Sequence, residues 1–174
     1  QEIIEFSEED LIPHQSMVVT LSNRGFVKRV PSQSYKAQHR GGQGIQGHPT
    51  RDEDTVRLLV VADTHDRLFF FTNRGKVFSL KCYEVPDSSR TGKGTAIVNL
   101  FPVVEAERVT AVVVVTDFKQ GDFLVMTTCL GEVKKTAVER FAQVRSSGLI
   151  AMDLEQGDEL VSAQLAGSGD DIVM

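Results

Sequence analysis

Apolar positions along this chain cluster in short runs rather than recurring with a helical period. Met17–Leu21, Leu68–Phe71 and Phe123–Met126 are nearly continuous apolar stretches. Each is followed by a short turn ending in Gly and then by a second stretch that carries bases. The runs are rich in Val, Phe, Leu and Thr, which suit a pleated, half-buried surface. No segment sustains a long 3.6-residue apolar period, so little helix is expected, with Ala137–Phe141 the one place for a short helical turn.

The runs repeat. MVVTLSNRGFVKRVP from Met17 to Pro31, LFFFTNRGKVFSLKCYEVP from Leu68 to Pro86 and FLVMTTCLGEVKKTAVERF from Phe123 to Phe141 are three copies of one strand–turn–strand unit. Their marker glycines are Gly25, Gly75 and Gly131, and Asn-Arg-Gly at 23–25 and 73–75 reads as a hairpin turn with Gly where φ is positive. A Gly-containing loop follows each unit, at 40–47, 90–100 and 145–154. A further strand then closes it, at Val56–Ala62, Val109–Val115 and Leu160–Leu165. The expected strands lie near 17–22, 26–30, 56–62, 68–73, 76–81, 109–115, 123–128, 132–136 and 160–165.

Four short strands in a period of about 50 residues predict an all-β, propeller-like array of about three four-stranded blades. The blades are expected at about 11–66, 67–117 and 118–168, with a fourth starting at 169–174. A plain β-sandwich would account for the strands but not for the repeated turn chemistry.

Composition changes this picture in two places. The formal net charge is −5, which argues against a polyanion as partner, but the acids and bases are segregated. Leu11 to Arg51 contains no acid and six cations: Arg24, Lys28, Arg29, Lys36, Arg40 and Arg51. Arg67, Arg74, Lys76, Lys81, Arg90 and Lys93 then face only Glu84 and Asp87, while the acids gather in the first ten residues and from Asp153 to Asp171. A chain of low pI can present a basic face, and the local field is what attracts a polyanion. Ordinary solvated charge fits the composition equally well.

Cys82 and Cys129 each lie in an apolar run and are expected to be buried, reduced thiols. No apolar run approaches the ~18 residues of a membrane span, and the acidic N-terminus is unlike a secretory signal. The first residue is Gln1 rather than Met, which predicts a piece of a longer protein.

The sharpest local motif is Gln38-His39-Arg40-Gly41-Gly42-Gln43-Gly44. Its glycines let backbone N–H groups turn outward as an anion nest, beside an Arg able to fork onto a phosphate. A flexible surface loop is the bland alternative.

The motif resembles the QRRGGKG loop in the first blade of the C-terminal DNA-wrapping domain of DNA gyrase A. Gln38, Arg40, Gly41, Gly42 and Gly44 are kept. Asp10-Leu11-Ile12-Pro13, Met17–Leu21, Thr64-His65-Asp66, Phe70–Asn73, Gly75-Lys76-Val77, Tyr83–Pro86, Ser89-Arg90-Thr91 and Lys93-Gly94 are similar to that family too, so the likeness runs over nearly the whole chain.

The resemblance implies a β-pinwheel, about three blades of a six-bladed disc, with strands shared between neighbours and a basic rim that wraps DNA. The implied partners are double-stranded DNA and, in the longer enzyme, the ATPase B subunit together with a second gyrase A protein. No membrane partner and no cofactor are implied, and the implied setting is the bacterial cytoplasm. The expected DNA-binding residues are Arg24, Lys28, Arg29, Gln38, Arg40, Gly41, Gly42, Gly44, Arg74, Lys76, Lys81, Arg90 and Lys93.

His39 and Gln43 stand where the family has cations, which brings in the A-type subunit of topoisomerase IV as an alternative. A propeller-like protein-interaction module is a further one, although neither WD dipeptides nor kelch-type double glycines recur.

Catalytic signatures are missing. Gly92-Lys93-Gly94-Thr95 lacks the upstream Gly of a nucleotide-binding P-loop. The four His show no ligand spacing, and neither Tyr35 nor Tyr83 lies in a context expected of a DNA-cleaving nucleophile. The chain is expected to be non-catalytic, within an ATP-dependent type II topoisomerase.

Overall fold

The computed structural model describes residues 7–36, 54–119 and 121–171. Its strands are β1 (Ser16–Ser22), β2 (Phe26–Pro31), β3 (Val56–Asp63), β4 (Arg67–Thr72), β5 (Lys76–Lys81), β6 (Thr95–Ala96), β7 (Val109–Val115), β8 (Phe123–Thr128), β9 (Val133–Ala137), β10 (Leu149–Ile150) and β11 (Leu160–Ala166). Helix is confined, among the described residues, to one turn at Gln33–Lys36 and to 3-10 turns, one of them at Val138–Phe141 where the sequence predicts it.

The strands form three antiparallel sheets with the orders β3-β1-β2-β6, β10-β5-β4-β7 and β11-β8-β9. Every sheet is built around one of the repeated hairpins. Gly25, Gly75 and Gly131 take φ of +81°, +77° and +89° at the three turns, a region closed to most L-residues. The closing strand of each repeat pairs with the first strand of its own hairpin, as Met17↔Ala62, Leu68↔Val114 and Leu124↔Leu165 show.

Consecutive sheets are tied by strand donation. β6 lies in the second repeat but pairs with β2 of the first, with Phe26↔Ala96 and Val27↔Thr95. β10 in the third repeat likewise pairs with β5 of the second, with Leu149↔Val77 and Ile150↔Lys76. Gly94 and Gly148, at φ +87° and +85°, lead into these donated strands with no room for a side chain. A Cβ on Gly94 would stand 2.5 Å from the Val27 carbonyl oxygen, and one on Gly148 would stand 2.7 Å from the Phe78 ring.

The middle sheet is buried on both faces, which explains why β4 reads as an uninterrupted apolar run instead of alternating. Leu68 and Phe70 face the first sheet, in a cluster with Met17, Val19, Val27, Phe78 and Phe101. Phe69 and Phe71 face the third, with Leu124, Met126, Phe141 and Leu160. Phe101 stacks on Phe78 at 4.9 Å between ring centroids, and Phe141 meets Phe69 edge-on at 5.9 Å. Such aromatic pairs contribute about 0.5–1.5 kcal/mol beyond their area burial.

One expectation about the interior is corrected. Cys82 is buried, but Cys129 is exposed. Cys129 takes the turn position held by Asn23 and Asn73: its N–H donates to Glu159 O as theirs donate to Thr55 O and Arg108 O. The strand ends one residue earlier, at Thr128, so the thiol leaves the core with the turn.

Candidate nucleic-acid interface

The expected binding residues fall into distinct places. Gln38, Arg40, Gly41, Gly42 and Gly44 lie outside the described residues, so the glycine motif remains a sequence expectation. Arg24 and Arg74 are exposed on the hairpin turns of the first two sheets. The Arg24 N–H donates to Asp54 Oδ1 at 3.0 Å, and Arg74 Nη2 donates to Glu105 O at 3.3 Å. Lys76 is half-buried at the β5–β10 edge.

Lys81 lies at the far end of β5 and is engaged by the N-terminal segment. Its Nζ is 2.9 Å from Glu9 Oε1 and donates to His65 O at 3.2 Å. This pair is one part of a clasp. His14 stacks on His65 with ring centroids 4.0 Å apart, His14 Nδ1 is 2.7 Å from Asp63 Oδ1, and His65 Nε2 is 2.6 Å from Ile12 O. Lys81 holds the Glu9 carboxyl below its usual range. Burial pushes the Asp63 carboxyl up, but hydrogen bonds from the His65 N–H and the His14 ring outweigh it and leave its pKa low.

The remaining cations meet where β6 joins the first sheet. Arg29 points back into the protein, its Nε donating to Val85 O at 2.6 Å and its Nη2 lying 3.8 Å from Asp87 Oδ2. Lys28 points under the loop that precedes β6, and its Nζ donates to Ser89 O at 3.1 Å, Arg90 O at 2.6 Å and Gly92 O at 2.8 Å. An ammonium has three donors, so all of them are used within the protein, and partial burial lowers the Lys28 pKa. Above it, Arg90 and Lys93 are exposed. The Arg90 guanidinium lies 5.3 Å from the centroid of the Tyr35 ring, and Lys93 Nζ lies 4.2 Å from that of Phe26. Cation–π contacts of this kind restrain a charged side chain while leaving its N–H donors available.

The third sheet carries a further basic patch, outside the residues expected from the sequence. Lys134, Lys135 and Arg140 are exposed there and line a groove of about 500 Å³ beside Leu149 and Ile150. Their signal was present in the basic stretch of the third repeat, but the nearby acids of the C-terminal part masked it.

Among the described residues no group of three or more His, Cys, Asp or Glu is placed to hold a metal ion. Burial raises the Tyr83 pKa, away from the phenolate. No helix of the described residues is long and apolar enough to cross a membrane.

Three hairpin-centred antiparallel sheets, tied by donated strands and carrying basic inter-sheet loops, define a propeller of the β-pinwheel type. A family model described as DNA gyrase C-terminal domain, beta-propeller, matches residues 16–63, 66–116 and 122–166 in turn, and the chain belongs to that family.

The chain is 55% identical over its whole length to the DNA gyrase A protein of Dehalogenimonas lykanthroporepellens, where it covers 22% of that protein. It is 44% identical over 95% of its length to the DNA gyrase A protein of Escherichia coli, covering 19%. It thus spans about a fifth of these relatives. Among solved structures, a C-terminal domain of DNA topoisomerase IV superposes with a TM-score of 0.70 at 27% identity, covering 88% of this chain and 46% of that one. A DNA gyrase A C-terminal domain superposes with a TM-score of 0.67 at 27% identity, covering 88% and 48%.

Proposed function

We propose that this chain is part of the DNA-wrapping domain of a gyrase A protein, a non-catalytic module that holds duplex DNA by its phosphates and so directs strand passage toward negative supercoiling. The observation that carries the reading is the exposed Arg90–Lys93 loop at the junction of the first two sheets, in a chain of this family. Arg24, Arg74 and Lys76 extend the same surface in this proposal, and Arg40 of the glycine motif is a further phosphate contact expected from the sequence. Phosphate contacts position a duplex without reading its bases, so binding is indifferent to sequence.

The longer protein would pair with a second copy of itself and with an ATPase B subunit. It would act as an ATP-dependent type II topoisomerase in the bacterial cytoplasm. Within this reading the repeats divide at about 11–66, 67–117 and 118–168, with a fourth beginning at 169–174.

Filter binding to plasmid DNA over a salt series tests it. With about six phosphate contacts, affinity falls by ~10³ between about 50 and about 200 mM salt. Arg40→Ala flattens the slope by about one unit, while Lys119→Ala, beside Asp117 and away from the proposed surface, leaves it unchanged. Equal slopes for all three proteins would remove the mechanism.

The A-type subunit of topoisomerase IV is the second reading. It is favoured by His39 and Gln43 in the glycine motif and by the topoisomerase IV likeness described above. Supercoiling against decatenation by the full-length enzyme separates the two.

A further inference from the structure

The 88–93 loop is turned inside out by Lys28. In a planar trans peptide the C=O and the following N–H point in opposite directions. The carbonyls of Ser89, Arg90 and Gly92 all converge on the Lys28 ammonium. The N–H groups of the same peptide units, those of Arg90, Thr91 and Lys93, therefore point away from it, toward solvent. None of these three N–H groups donates to a protein acceptor among the described residues, whereas the Gly92 N–H is taken by Ser89 O at 3.1 Å. Arg90, Thr91 and Lys93 are all exposed. The outward face thus offers three backbone donors, the Thr91 hydroxyl, a guanidinium restrained on Tyr35 and an ammonium restrained on Phe26. Successive outward N–H groups flanked by cations are an anion-binding arrangement.

The next junction provides the contrast. β5 places Phe78 where β2 places Lys28, since Phe78 faces Phe70 across its hairpin as Lys28 faces Thr20. The loop that packs over Phe78 ends at Gly148 and finds a ring instead of an ammonium. Carbonyls cannot converge on an apolar ring, so the device belongs to the first junction and not to the second.

We propose that Lys28 is a positioning residue that builds a phosphate-binding nest from the N–H groups of Arg90, Thr91 and Lys93 together with the Arg90 and Lys93 side chains. The ligand is a phosphate oxyanion, which a DNA phosphodiester or free inorganic phosphate supplies. The nest deepens the DNA-binding reading by naming a contact site of that surface, and it rests on that reading only for the source of the phosphate.

The test is an amide-resolved NMR titration of the 174-residue chain with a duplex and, separately, with inorganic phosphate, beside salt slopes for Lys28→Met and Gly94→Ala. The expected result is that the Arg90, Thr91 and Lys93 amides shift with both probes while those of 145–148 do not. Lys28→Met abolishes these shifts, weakens duplex binding ~10-fold and flattens the salt slope by about two units, since the Arg90 and Lys93 contacts are lost together. Arg90→Ala in the Lys28→Met background adds little, as expected for groups acting as one unit. Gly94→Ala, whose Cβ would run into the Val27 backbone carbonyl at a left-handed position, reproduces the loss without touching the ammonium.

Shifts with inorganic phosphate but no duplex binding would keep the nest and overturn the DNA reading. Duplex binding with the three amides unmoved, or silence of these amides toward both probes, would overturn the nest. So would a slope change of one unit or less in Lys28→Met, because that is the signature of a single direct contact.

Discussion

Ala106 and Gly157 occupy the same corner of successive repeats, and only Ala106 carries a Cβ, although both are left-handed with φ of +62° and +86°. Each precedes an acid, Glu107 or Asp158, that stands just before the closing strand of its repeat. Glu107 accepts from the Thr72 hydroxyl and the Val104 N–H, and Asp158 accepts from the Leu130 and Glu159 N–H groups. The left-handed region costs an L-residue roughly 1–2 kcal/mol, part of which glycine returns as unfolded-state entropy. Ala106→Gly is therefore expected to stabilise the chain by about 0.5 kcal/mol and Gly157→Ala to destabilise it by about 1 kcal/mol. Denaturant midpoints of the two variants check the opposite signs.

Gly25 and Gly75 share a turn motif but not its surroundings. A Cβ on Gly25 meets nothing within 4 Å among the described residues, so Gly25→Ala is expected to carry only the conformational cost, about 1 kcal/mol. A Cβ on Gly75 would run into the Met152 carbonyl, which itself belongs to the segment whose Ala151 and Met152 N–H groups donate to Gly75 O. Gly75→Ala is expected to cost more than about 3 kcal/mol, through overpacking added to strain. Comparable unfolding midpoints for the two variants would contradict the close approach.

The N-terminal clasp should open in acid. Glu9 and Asp63 both have carboxyl pKa values below the ordinary 4.5 and 3.8. A carboxyl depressed on folding adds stability that is present above its unfolded pKa and is lost as pH falls through its folded one. The segment from Ser7 to His14 is therefore expected to dock at neutral pH and detach below about pH 4, while the sheets, which do not depend on these two groups, persist. Amide exchange at Ile12, whose N–H donates to Glu9 O, and at His65, whose N–H donates to Asp63 Oδ1, against that at Phe70 follows the release. Lys81→Met should release the segment at neutral pH.

The two thiols should differ in rate by orders of magnitude. Burial pushes the Cys82 thiol up to about 11, so little thiolate forms near neutrality, while Cys129 is exposed on its turn. An aromatic disulfide reagent should titrate one thiol at once in the native chain and the second only on unfolding. Two fast equivalents would place Cys82 outside the core.

The nine long strands were legible to within about one residue because each hairpin is punctuated by a glycine that must take positive φ. β6 and β10 were not. Thr95-Ala96 and Leu149-Ile150 are too short to show any period, and they are strands only because an edge of the preceding sheet is there to pair with. The role of Lys28 was illegible for a related reason. A Lys alternating with apolar residues in a strand looks solvated, and its three acceptors lie 61 to 64 residues further on. Cys129 shows the opposite failure, where an apolar neighbourhood in sequence hid a turn position.

Strand donation sets the limits of rearrangement in such an array. The hairpin of the first sheet ends at Pro31, yet that sheet is complete only at Ala96, so the unit that folds is offset from the unit that repeats. Excising one sequence period at its own boundaries would leave the preceding sheet without its outer strand and expose an edge open to unwanted pairing. A nearest-neighbour coupling of this kind makes adjacent units melt together rather than one at a time. A truncation that keeps the preceding sheet whole must therefore fall just after a donated strand, beyond Ala96 or Ile150, so that the sheet keeps the piece it borrows.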